Sequence, residues 1–427
     1  MREMKESGIE WIKAIPSNWN ISKIDQLYVP RNTKVSDFDY QPLSVTMQGI
    51  VPQLESAAKT NAHDSRKLVM KGDFAINSRS DRRGSCGISE YTGSVSLINT
   101  VLKPKEDMNA RYYNWLFHTS MFSDEFYRWG HGIVDDLWST GWQEMKKISI
   151  PSPSLEEQHK IADFLDQKCS EIDALTADIQ TQIETLEEYK KSVITEAVTK
   201  GLDPNVKMKD SGVEWIGKIP KNWSTSKLKY LFSSGKGLSI TKQDLEEYGL
   251  PVVSYGQIHS KLNSGTGINA DLIRFVSKRF SIHKQCKVNK FDFIFADTSE
   301  DYDGCGNCCY NRNDNIIYAG YHCIVLHSLN NEDNRYLAYL FKTDSWRKQI
   351  REIASGVKVF SITQKNIINA SVMLPSKEEQ QKIADFLDQK CSEIDLTISE
   401  KQQQLETLAE YKKSLIYEYV TGKKEVA

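Results

Sequence analysis

The sequence predicts an α+β protein in which two mixed α/β domains alternate with two long helices that form an antiparallel coiled coil. Two observations lead to this prediction. The thirteen residues IADFLDQKCSEID occur at 161–173 and again at 383–395, each inside a stretch of helical periodicity. The segments that separate the repeated parts are rich in short β-like runs and differ from each other. The chain is therefore a tandem repeat, and we expect a pseudo-twofold axis between its halves.

The repeat extends beyond the thirteen identical residues. Residues 153–199 align with 375–421 without a gap, at an offset of 222 positions. A second repeat, SGIEWIKAIPSNWNISK at 7–23 and SGVEWIGKIPKNWSTSK at 211–227, has an offset of 204 positions. The offsets differ by 18 (222 − 204), so the second half is about that much longer between its repeated parts.

Composition places the chain among ordinary globular proteins with more than one domain. Its 427 residues are 39% hydrophobic and 26% charged, and no apolar run is long enough to cross a bilayer. The first residues, MREMKESGIEW, contain no apolar stretch typical of a secretory signal. Eight cysteines at irregular spacing indicate reduced thiols, so the predicted location is the cytoplasm.

The net charge of −2 conceals an uneven distribution. Residues 156–200 carry 5 Lys/Arg and 11 Asp/Glu, and residues 376–427 carry 8 and 11. Residues 20–150 carry 16 and 15, whereas residues 221–374 carry 20 and 14. The repeated helices are thus acidic. We call the two segments between the repeated parts, roughly 28–150 and 232–374, the inserts; the second insert is basic and the first is about neutral. A basic insert allows a nucleic-acid partner, although solvated acidic helices would give the same average.

The two long helices follow from periodicity. Residues 156–198 contain neither Gly nor Pro, and Ser154 with Glu157 has the form of a capping box. Apolar or bulky residues recur every three or four positions in both copies: Ile161, Leu165, Ile172, Leu175, Ile179, Leu186, Tyr189 and Val193 in the first, and Ile383, Leu387, Ile394, Leu405, Leu408, Tyr411 and Leu415 in the second. A helix about 60 Å long with one apolar stripe needs a partner, and the other copy is the economical one.

The repeated segments divide the chain into a first mixed α/β domain at 1–152, a first helical region at 153–200, a linker with the second mixed α/β domain at 201–374, and a second helical region at 375–427. Residues 199–212 supply Gly, Pro and charges and are predicted to link the halves. Cys169 and Cys391 are expected to be packing residues on the helices. Each insert also contains one predicted helix, at 110–129 and at 334–354.

Several segments resemble the specificity (S) subunits of type I restriction-modification systems. They are WIKAIPSNW and WIGKIPKNW before each insert, GDFAINSRSDRRGSCGISEYTGSVS at 72–96, PVVSYGQIHSK at 251–261, FADTSEDYDGCG and AGYHCIVL within 295–326, and PSPSLEEQ or LPSKEEQ before each helix. The resemblance covers nearly the whole chain. It implies that the inserts are two target recognition domains, each reading one half of a split, asymmetric double-stranded DNA target, with the coiled coil setting the gap.

The resemblance also implies partners. Two methyltransferase (M) subunits would dock on the conserved regions, and restriction (R) subunits would join them. This chain would then be non-catalytic, bind no cofactor and contact no membrane, while the assembled complex would use S-adenosylmethionine, ATP and Mg. The alternative is an orphan DNA-binding protein or a coiled-coil scaffold without a methyltransferase partner.

Candidate DNA-binding residues in the first insert lie in NSRSDRRGS at 77–85. Arginines pair bidentately with guanine or bind phosphates, small polar side chains contact phosphates, and an aspartate accepts from cytosine N4. The candidates are Arg79, Ser80, Asp81, Arg82, Arg83 and Ser85. A surface loop with local ion pairs would show the same composition.

Candidates in the second insert are Tyr255, Gln257, His259, Lys261, Ser299, Glu300 and Lys358. Alternation predicts that the first four lie on one face of a strand. Lys358 lies in SGVKVFSITQ at 355–364, whose counterpart HGIVDDLW at 131–138 is acidic. The departure weakens any transfer of the Lys358 role to the first insert.

Catalytic and metal-binding alternatives have weaker support. The sequence contains no adjacent prolines, so the Asn/Asp-Pro-Pro-aromatic motif of amino-methyltransferases is absent, and SSGKGLS at 233–239 lacks the first glycine of a P-loop. DDLWSTGWQEMK at 135–146 has the outline of a nuclease site, without a counterpart in the second half. A zinc site would draw on Cys286, Cys305, Cys308, Cys309, His322 and Cys323, but these offer only one clean CxxC spacing.

Overall fold

A computed structural model describes residues 2–53, 63–133, 138–280, 283–330 and 332–426. The chain divides into two compact units, residues 1–181 with 401–427 and residues 182–400. We call them unit 1 and unit 2. Each contains one insert together with a segment of each long helix.

In unit 1 the insert is built on two sheets and several hairpins. A sheet of order β10-β9-β12-β4 lies beside one of order β11-β8-β5, and antiparallel pairs join β1 to β2, β6 to β7 and β3 to β13. The strands are β1 Met4–Glu6, β2 Ala14–Pro16, β3 Asn20–Lys23, β4 Tyr28–Pro30, β5 Lys34–Val35, β6 Leu43–Thr46, β7 Gly49–Pro52, β8 Arg66–Val69, β9 Phe74–Asn77, β10 Cys86–Ile88, β11 Gly93–Ser96, β12 Asn99–Pro104 and β13 Ser149–Ser152. The helices are α1 Ile24–Leu27, α2 Ala110–Phe117, α3 Ser120–Arg128, α4 Trp142–Met145 and the long α5 Leu155–Lys200.

Unit 2 repeats this plan. Its sheet β24-β22-β26-β17 has the strand order of β10-β9-β12-β4, and a larger sheet of order β18-β20-β19-β25-β21 lies beside it. The strands are β14 Met208–Asp210, β15 Lys218–Pro220, β16 Ser224–Lys227, β17 Phe232–Lys236, β18 Leu245–Glu246, β19 Leu250–Val253, β20 Arg274–Val276, β21 Lys287–Val288, β22 Phe293–Ala296, β23 Thr298–Ser299, β24 Cys308–Tyr310, β25 Ile317–Ala319, β26 Cys323–Ser328, β27 Phe360–Ser361 and β28 Ser371–Leu374. The helices are α6 Tyr255–Ile258, α7 Arg335–Leu340, α8 Asp344–Glu352, α9 Gln364–Ile368 and α10 Lys377–Val420.

The two long helices are confirmed, and they run antiparallel within each unit. Lys412 on α10 donates to Asp173 on α5 in unit 1 over 2.5 Å, and Lys190 on α5 donates to Asp395 on α10 in unit 2 over 2.6 Å. The residue numbers of each pair add to 585, which means that both ion pairs obey one antiparallel register. Cys169 and Cys391 are buried free thiols, as predicted.

Two details of the predicted helices are wrong. Leu175, Tyr189 and Tyr411 are exposed rather than part of the packed stripe. The capping box at the start of α5 is half formed. Ser154 Oγ accepts from the Glu157 amide, but the Glu157 carboxylate accepts instead from Trp19 Nε1.

Each predicted insert helix is in fact two helices. Thr119 lies between α2 and α3 in extended backbone, and its hydroxyl accepts from the Phe122 amide. Thr343 does the same between α7 and α8, with Trp346 as donor. A threonine in this position starts a new helix because it satisfies an amide that has no helical partner. The predicted linker 199–212 also contains β14, which pairs with β15 as β1 pairs with β2.

The same residues attach each insert to its helices. Arg111 on α2 binds Asp163 and Asp166 on α5, each over 2.6 Å, and Trp115 Nε1 donates to Asp166 over 2.7 Å. In unit 2, Arg335 on α7 binds Asp385 and Asp388 over 2.8 and 2.6 Å, and Tyr339 donates to Asp388 over 2.7 Å. Both aspartate pairs belong to the identical IADFLDQKCSEID copies.

A second attachment is at the far end of the partner helix. The Tyr112 hydroxyl donates to the Val420 carbonyl near the end of α10, over 2.8 Å. The Tyr336 hydroxyl donates to the Val198 carbonyl near the end of α5, over 3.0 Å. Each insert is therefore held by the beginning of one long helix and the end of the other.

Candidate nucleic-acid interface

The arginine-rich segment of unit 1 follows the central strand β9. The Asn77 side chain accepts from the Arg79 amide, and residues Ser80–Arg82 form a single 3-10 turn. The turn leaves Arg79, Asp81, Arg82 and Arg83 exposed and Ser80 partly exposed, whereas Ser85 is buried. Four of the predicted residues therefore share an open surface.

The three arginines have different neighbours. Arg83 binds Asp124 over 3.1 Å and lies over the ring of Tyr127, with 5.3 Å between the guanidinium carbon and the ring centroid. Arg82 is 3.6 Å from Asp81. The Arg79 amide donates to the Asn77 side chain, and no ion pair or hydrogen bond of the Arg79 guanidinium occurs within the part of the chain that the structure describes. Arg79 is thus the arginine most available to an anionic ligand.

A hairpin lies against this segment. His131 and Ser139 exchange backbone hydrogen bonds of 3.0 and 3.1 Å, and the Ser80 amide donates to the Trp138 carbonyl over 3.0 Å. The structure therefore places Trp138 and the His131–Ser139 pair next to NSRSDRRGS, although the two segments were considered separately in the sequence. Residues 134–137, including the two aspartates of the nuclease alternative, lie outside the described residues.

Unit 2 contains the equivalent pair. The segment after β22 pairs through Thr298 and Ser299 with β27, which belongs to a hairpin closed by Ser355 and Ser361. Ser355 and Ser361 exchange backbone hydrogen bonds of 3.0 and 2.7 Å, as His131 and Ser139 do. The exposed Lys358 lies at the tip of this hairpin.

The strand predicted for Tyr255, Gln257, His259 and Lys261 is wrong. Residues Tyr255–Ile258 form the short helix α6, so these side chains do not alternate on one face. The cause is local, because Gln257 Oε1 accepts from the Ser254 amide over 3.1 Å and caps the helix. The Ser-x-x-Gln pattern was the signal that the sequence reading missed.

Several of the second set of candidates are engaged inside the protein. His259 Nε2 is 2.8 Å from the Thr298 carbonyl, and Nδ1 is 2.9 Å from Asn307 Nδ2, so both ring nitrogens are occupied. Ser299 is only 2% exposed. Gly304 packs so closely here that a Cβ would lie 2.2 Å from Ser299 Oγ. Glu300 and Lys261 are exposed, and Tyr255 packs edge-on against Tyr321.

The structure brings in residues that the sequence reading did not select. The tip of the β6–β7 hairpin is exposed at Met47 and Gln48, and a Cβ at Gly84 would lie 3.9 Å from Met47 Cε. Ile133 and Val357 project from the two hairpins described above. Gly, followed by an aliphatic residue, in both hairpin sequences was the available signal.

Metal ligation has no support in the described ranges. They contain no group of three or more His, Cys, Asp or Glu side chains that could hold a metal ion. The cysteines of the zinc alternative instead enter different parts of the core, with Cys308 in one cluster, Cys309 and Cys323 in a second and Cys286 in a third. Burial raises the pKa of the Cys308 thiol to about 11.

Comparison with known proteins decides the family. The model of the type I restriction modification DNA specificity domain matches residues 16–185 and 220–407. The chain belongs to the type I restriction-modification specificity family. The S subunits to which it is similar include the type I restriction enzyme MjaVIII specificity subunit of Methanocaldococcus jannaschii, 27% identical over 96% of this chain and 93% of that protein.

Two further similarities concern a shorter match and the fold. The StySPI specificity subunit of Salmonella potsdam is 23% identical over 48% of this chain and 44% of its own length. The HsdS subunit of Thermoanaerobacter tengcongensis has a TM-score of 0.52 at 14% identity, covering 96% of this chain and 98% of that one. A chain solved in a study of assembly and conformational transition in a type I R-M system has a TM-score of 0.73 at 12% identity, and the match covers 96% of this chain and 99% of that one.

These similarities confirm the predicted fold class, with its two target recognition domains and two long helices. No helix within the described residues of this S-family chain is both long and apolar enough to cross a membrane.

Proposed function

We propose that the chain is the DNA-recognition subunit of a type I restriction-modification complex, in which each target recognition domain reads one half of a bipartite, asymmetric target. Recognition of DNA sequence is the role of its family. One observation carries the finer proposal. The segment after the central strand and the hairpin beside it occur in both units, with NSRSDRRGS in one and DTSEDYDG in the other.

Contacts to DNA are assigned by exposure. In unit 1 the proposed surface comprises Arg79, Asp81, Arg82 and Arg83 with Ser80 at its edge, and in unit 2 it comprises Lys261, Glu300 and Lys358. Exposed arginines and lysines supply the phosphate contacts that position a duplex, and bidentate arginine reads guanine. Ser85 and Ser299 are buried, and the partly exposed Gln257 and His259 hydrogen-bond to the backbone of these segments, so that these four residues, with Tyr255 packed against Tyr321, support the surface.

Docking of two M subunits is proposed on the long helices. Tyr189 and Tyr411 occupy equivalent positions in the repeat and are 49% and 53% exposed. An exposed tyrosine repeated on each helix suits a partner that binds twice, because aromatic residues are enriched in protein interfaces. We further propose that R subunits join this assembly, that the partners use S-adenosylmethionine, ATP and Mg, and that this chain is non-catalytic, binds no cofactor and acts in the cytoplasm.

The first experiment is a pull-down of the tagged chain from its host, with methylation sequencing of host DNA. Co-purification of a methyltransferase subunit, and N6-methyladenine at a split motif that disappears on deletion of the gene, would support the proposal. A chain that is recovered alone from a host with an unchanged methylome would contradict it and favour an orphan DNA binder or scaffold.

Binding to DNA should also depend steeply on salt. Each phosphate neutralised by Lys or Arg releases counterions, so log K falls linearly with log salt, with a slope of about −0.9 per contact on duplex DNA. Affinity for a duplex that carries the methylated motif, measured between about 50 and 200 mM salt, gives this slope. Binding that is independent of salt would exclude the proposed phosphate contacts.

A further inference from the structure

The two hairpins expose aliphatic side chains at equivalent positions. Ile133 is 95% exposed and Val357 is 91% exposed, the two highest values among the large hydrophobic side chains of the described residues. Each follows a glycine and lies two residues after the hairpin's first paired residue, His131 or Ser355. Single exposed aliphatic residues are common on protein surfaces, but the same extreme exposure at the same place in both units is a pattern.

The backbone fixes this exposure in unit 2. Gly356 has φ +130, and a Cβ there would lie 1.9 Å from the Val359 carbonyl oxygen, so only glycine fits the turn before Val357. The other arm of the hairpin is anchored, because Phe360 and Ser361 pair with β23 and the Tyr302 ring packs against Phe360 with centroids 5.5 Å apart. The tip is thus held away from the body of the unit.

The surroundings of the two hairpins point to DNA. In unit 1 the hairpin is paired with the segment that exposes Arg79, Arg82 and Arg83. In unit 2 the residue after Val357 is the exposed Lys358. An aliphatic side chain on a hairpin that carries or contacts exposed cations can approach a phosphate-lined groove, where the apolar group available at a base edge is the C5-methyl of thymine.

We propose that Ile133 and Val357 are specificity-determining residues that each contact a thymine methyl group in the major groove, one in each half of the target. The inference rests on the proposed DNA recognition and deepens it. Val and Ile are stiff at χ1, which favours a fixed contact with a methyl group. The contact would bury a side chain that water otherwise surrounds.

The test begins with duplexes selected from a random pool by the wild-type chain and its methyltransferase partner. Each thymine of a selected duplex is then replaced by deoxyuridine, which lacks the methyl group. We expect one position in each half-site to lose affinity about fourfold, the value for one buried CH₂-sized group. Val357→Ala should bind the thymine duplex about fourfold more weakly and be insensitive to deoxyuridine at one of these two positions.

The controls separate the possible failures. Ile133→Ala should remove the sensitivity in the other half-site only, and Leu329→Ala, an exposed aliphatic residue in unit 2 outside the hairpin, should change neither. Wild-type binding that tolerates deoxyuridine everywhere would overturn the inference, as would a Val357→Ala chain as sensitive as wild type. Loss of the methyltransferase partner from Val357→Ala, with affinity for DNA retained, would assign the tip to a protein interface. Failure to select any duplex would instead contradict the proposed function.

Discussion

At the scale of single residues, the composition of the recognition segments was predictable but their roles were not. The composition of NSRSDRRGS predicts an exposed basic turn, and its arginines are exposed. SYGQIHSK and DTSEDYDG looked equally suited to DNA, yet His259 and Ser299 are engaged inside unit 2. Polar side chains that bind DNA and those that bind protein backbone have the same donors and acceptors. Only the folded environment distinguishes them.

Arg83 provides the first test at this scale. Arg83→Ala is expected to cost about 1–3 kcal/mol of DNA-binding free energy and to relax one position of the first half-site, because a bidentate contact with guanine would be lost. Competition binding against duplexes altered one base pair at a time measures both effects. Lys168→Ala is the control, since this exposed cation lies on α5 and binds Glu171. Unchanged affinity and unchanged preference would remove Arg83 from the recognition surface.

His327 gives unit 2 a pH-dependent contribution to stability. Its hydrogen bond to Asp292, 2.9 Å long, raises the pKa of the imidazole despite partial burial. A group whose pKa is raised in the folded state stabilises fully below its unfolded pKa, near 6.5, and loses this contribution as pH rises through the folded pKa. His327→Gln should therefore cost about 2 kcal/mol at pH 6, the value for a charge-assisted hydrogen bond, and less at pH 9.

Urea unfolding of both proteins at the two pH values measures this difference. His63→Gln is a matched control, because His63 in unit 1 also faces an aspartate, Asp37, but its side chain is 47% exposed. A cost that is equal at pH 6 and pH 9 would show that the His327 ring acts through packing alone.

At the scale of elements, the helices were predictable because their signals are local and long. The stripe and the absence of Gly and Pro placed α5 within a residue or two of its ends. The division of 110–129 into two helices was not predicted, because Thr119 is compatible with a helix and becomes a cap only when its own backbone is extended. The attachment of inserts to helices could not be predicted, since Arg111 and Asp166 are 55 positions apart.

Asp388 tests that attachment. Burial raises the pKa of its carboxyl, but hydrogen bonds from Tyr339, Arg335 and Arg312 outweigh burial and leave the pKa lowered. A lowered carboxyl pKa stabilises above the unfolded value near 3.9 and is lost as pH falls through the folded value. Asp388→Asn should therefore destabilise unit 2 at pH 7 by about 1.5–3 kcal/mol, because it removes the charged acceptor that Tyr339, Arg335 and Arg312 share in a partly buried network.

Calorimetric unfolding at pH 7 measures this cost, and Asp395→Asn offers a control in an exposed ion pair on the same helix, where a loss of about 1 kcal/mol or less is expected. Equal effects of the two substitutions would mean that the Asp388 network does not hold the insert.

At the scale of the whole molecule, the duplication was the most secure prediction. A thirteen-residue identity cannot arise from composition, and it forces the same local structure twice. The sequence could not predict that each insert contacts the end of the other long helix, where Tyr112 donates to Val420 and Tyr336 donates to Val198. These contacts connect residues 308 and 138 positions apart, and no local pattern encodes such a distance.

The proposed role of the helices as a spacer can be tested by deletion. Removing 178–184 from α5 together with 401–407 from α10 keeps the antiparallel register, because each pair of numbers again adds to 585. Seven residues correspond to about 10 Å of helix, or roughly three base pairs, so the preferred gap in the target should shorten by about that amount. Removing only the four residues 179–182 from α5 should break the register and abolish binding, whereas an unchanged gap after the paired deletion would refute the spacer.

The arginine clamp has an evolutionary consequence. Arg111 and Arg335 each bind two aspartates at equivalent positions of the identical thirteen-residue copies. Neither arginine belongs to the proposed recognition surface. The attachment of an insert to the helix therefore does not depend on the residues that would read the bases. Two alleles that recombine within the identical copies would therefore exchange whole inserts and inherit intact clamps. A new target sequence could arise in one crossover, with no compensating mutation in the frame.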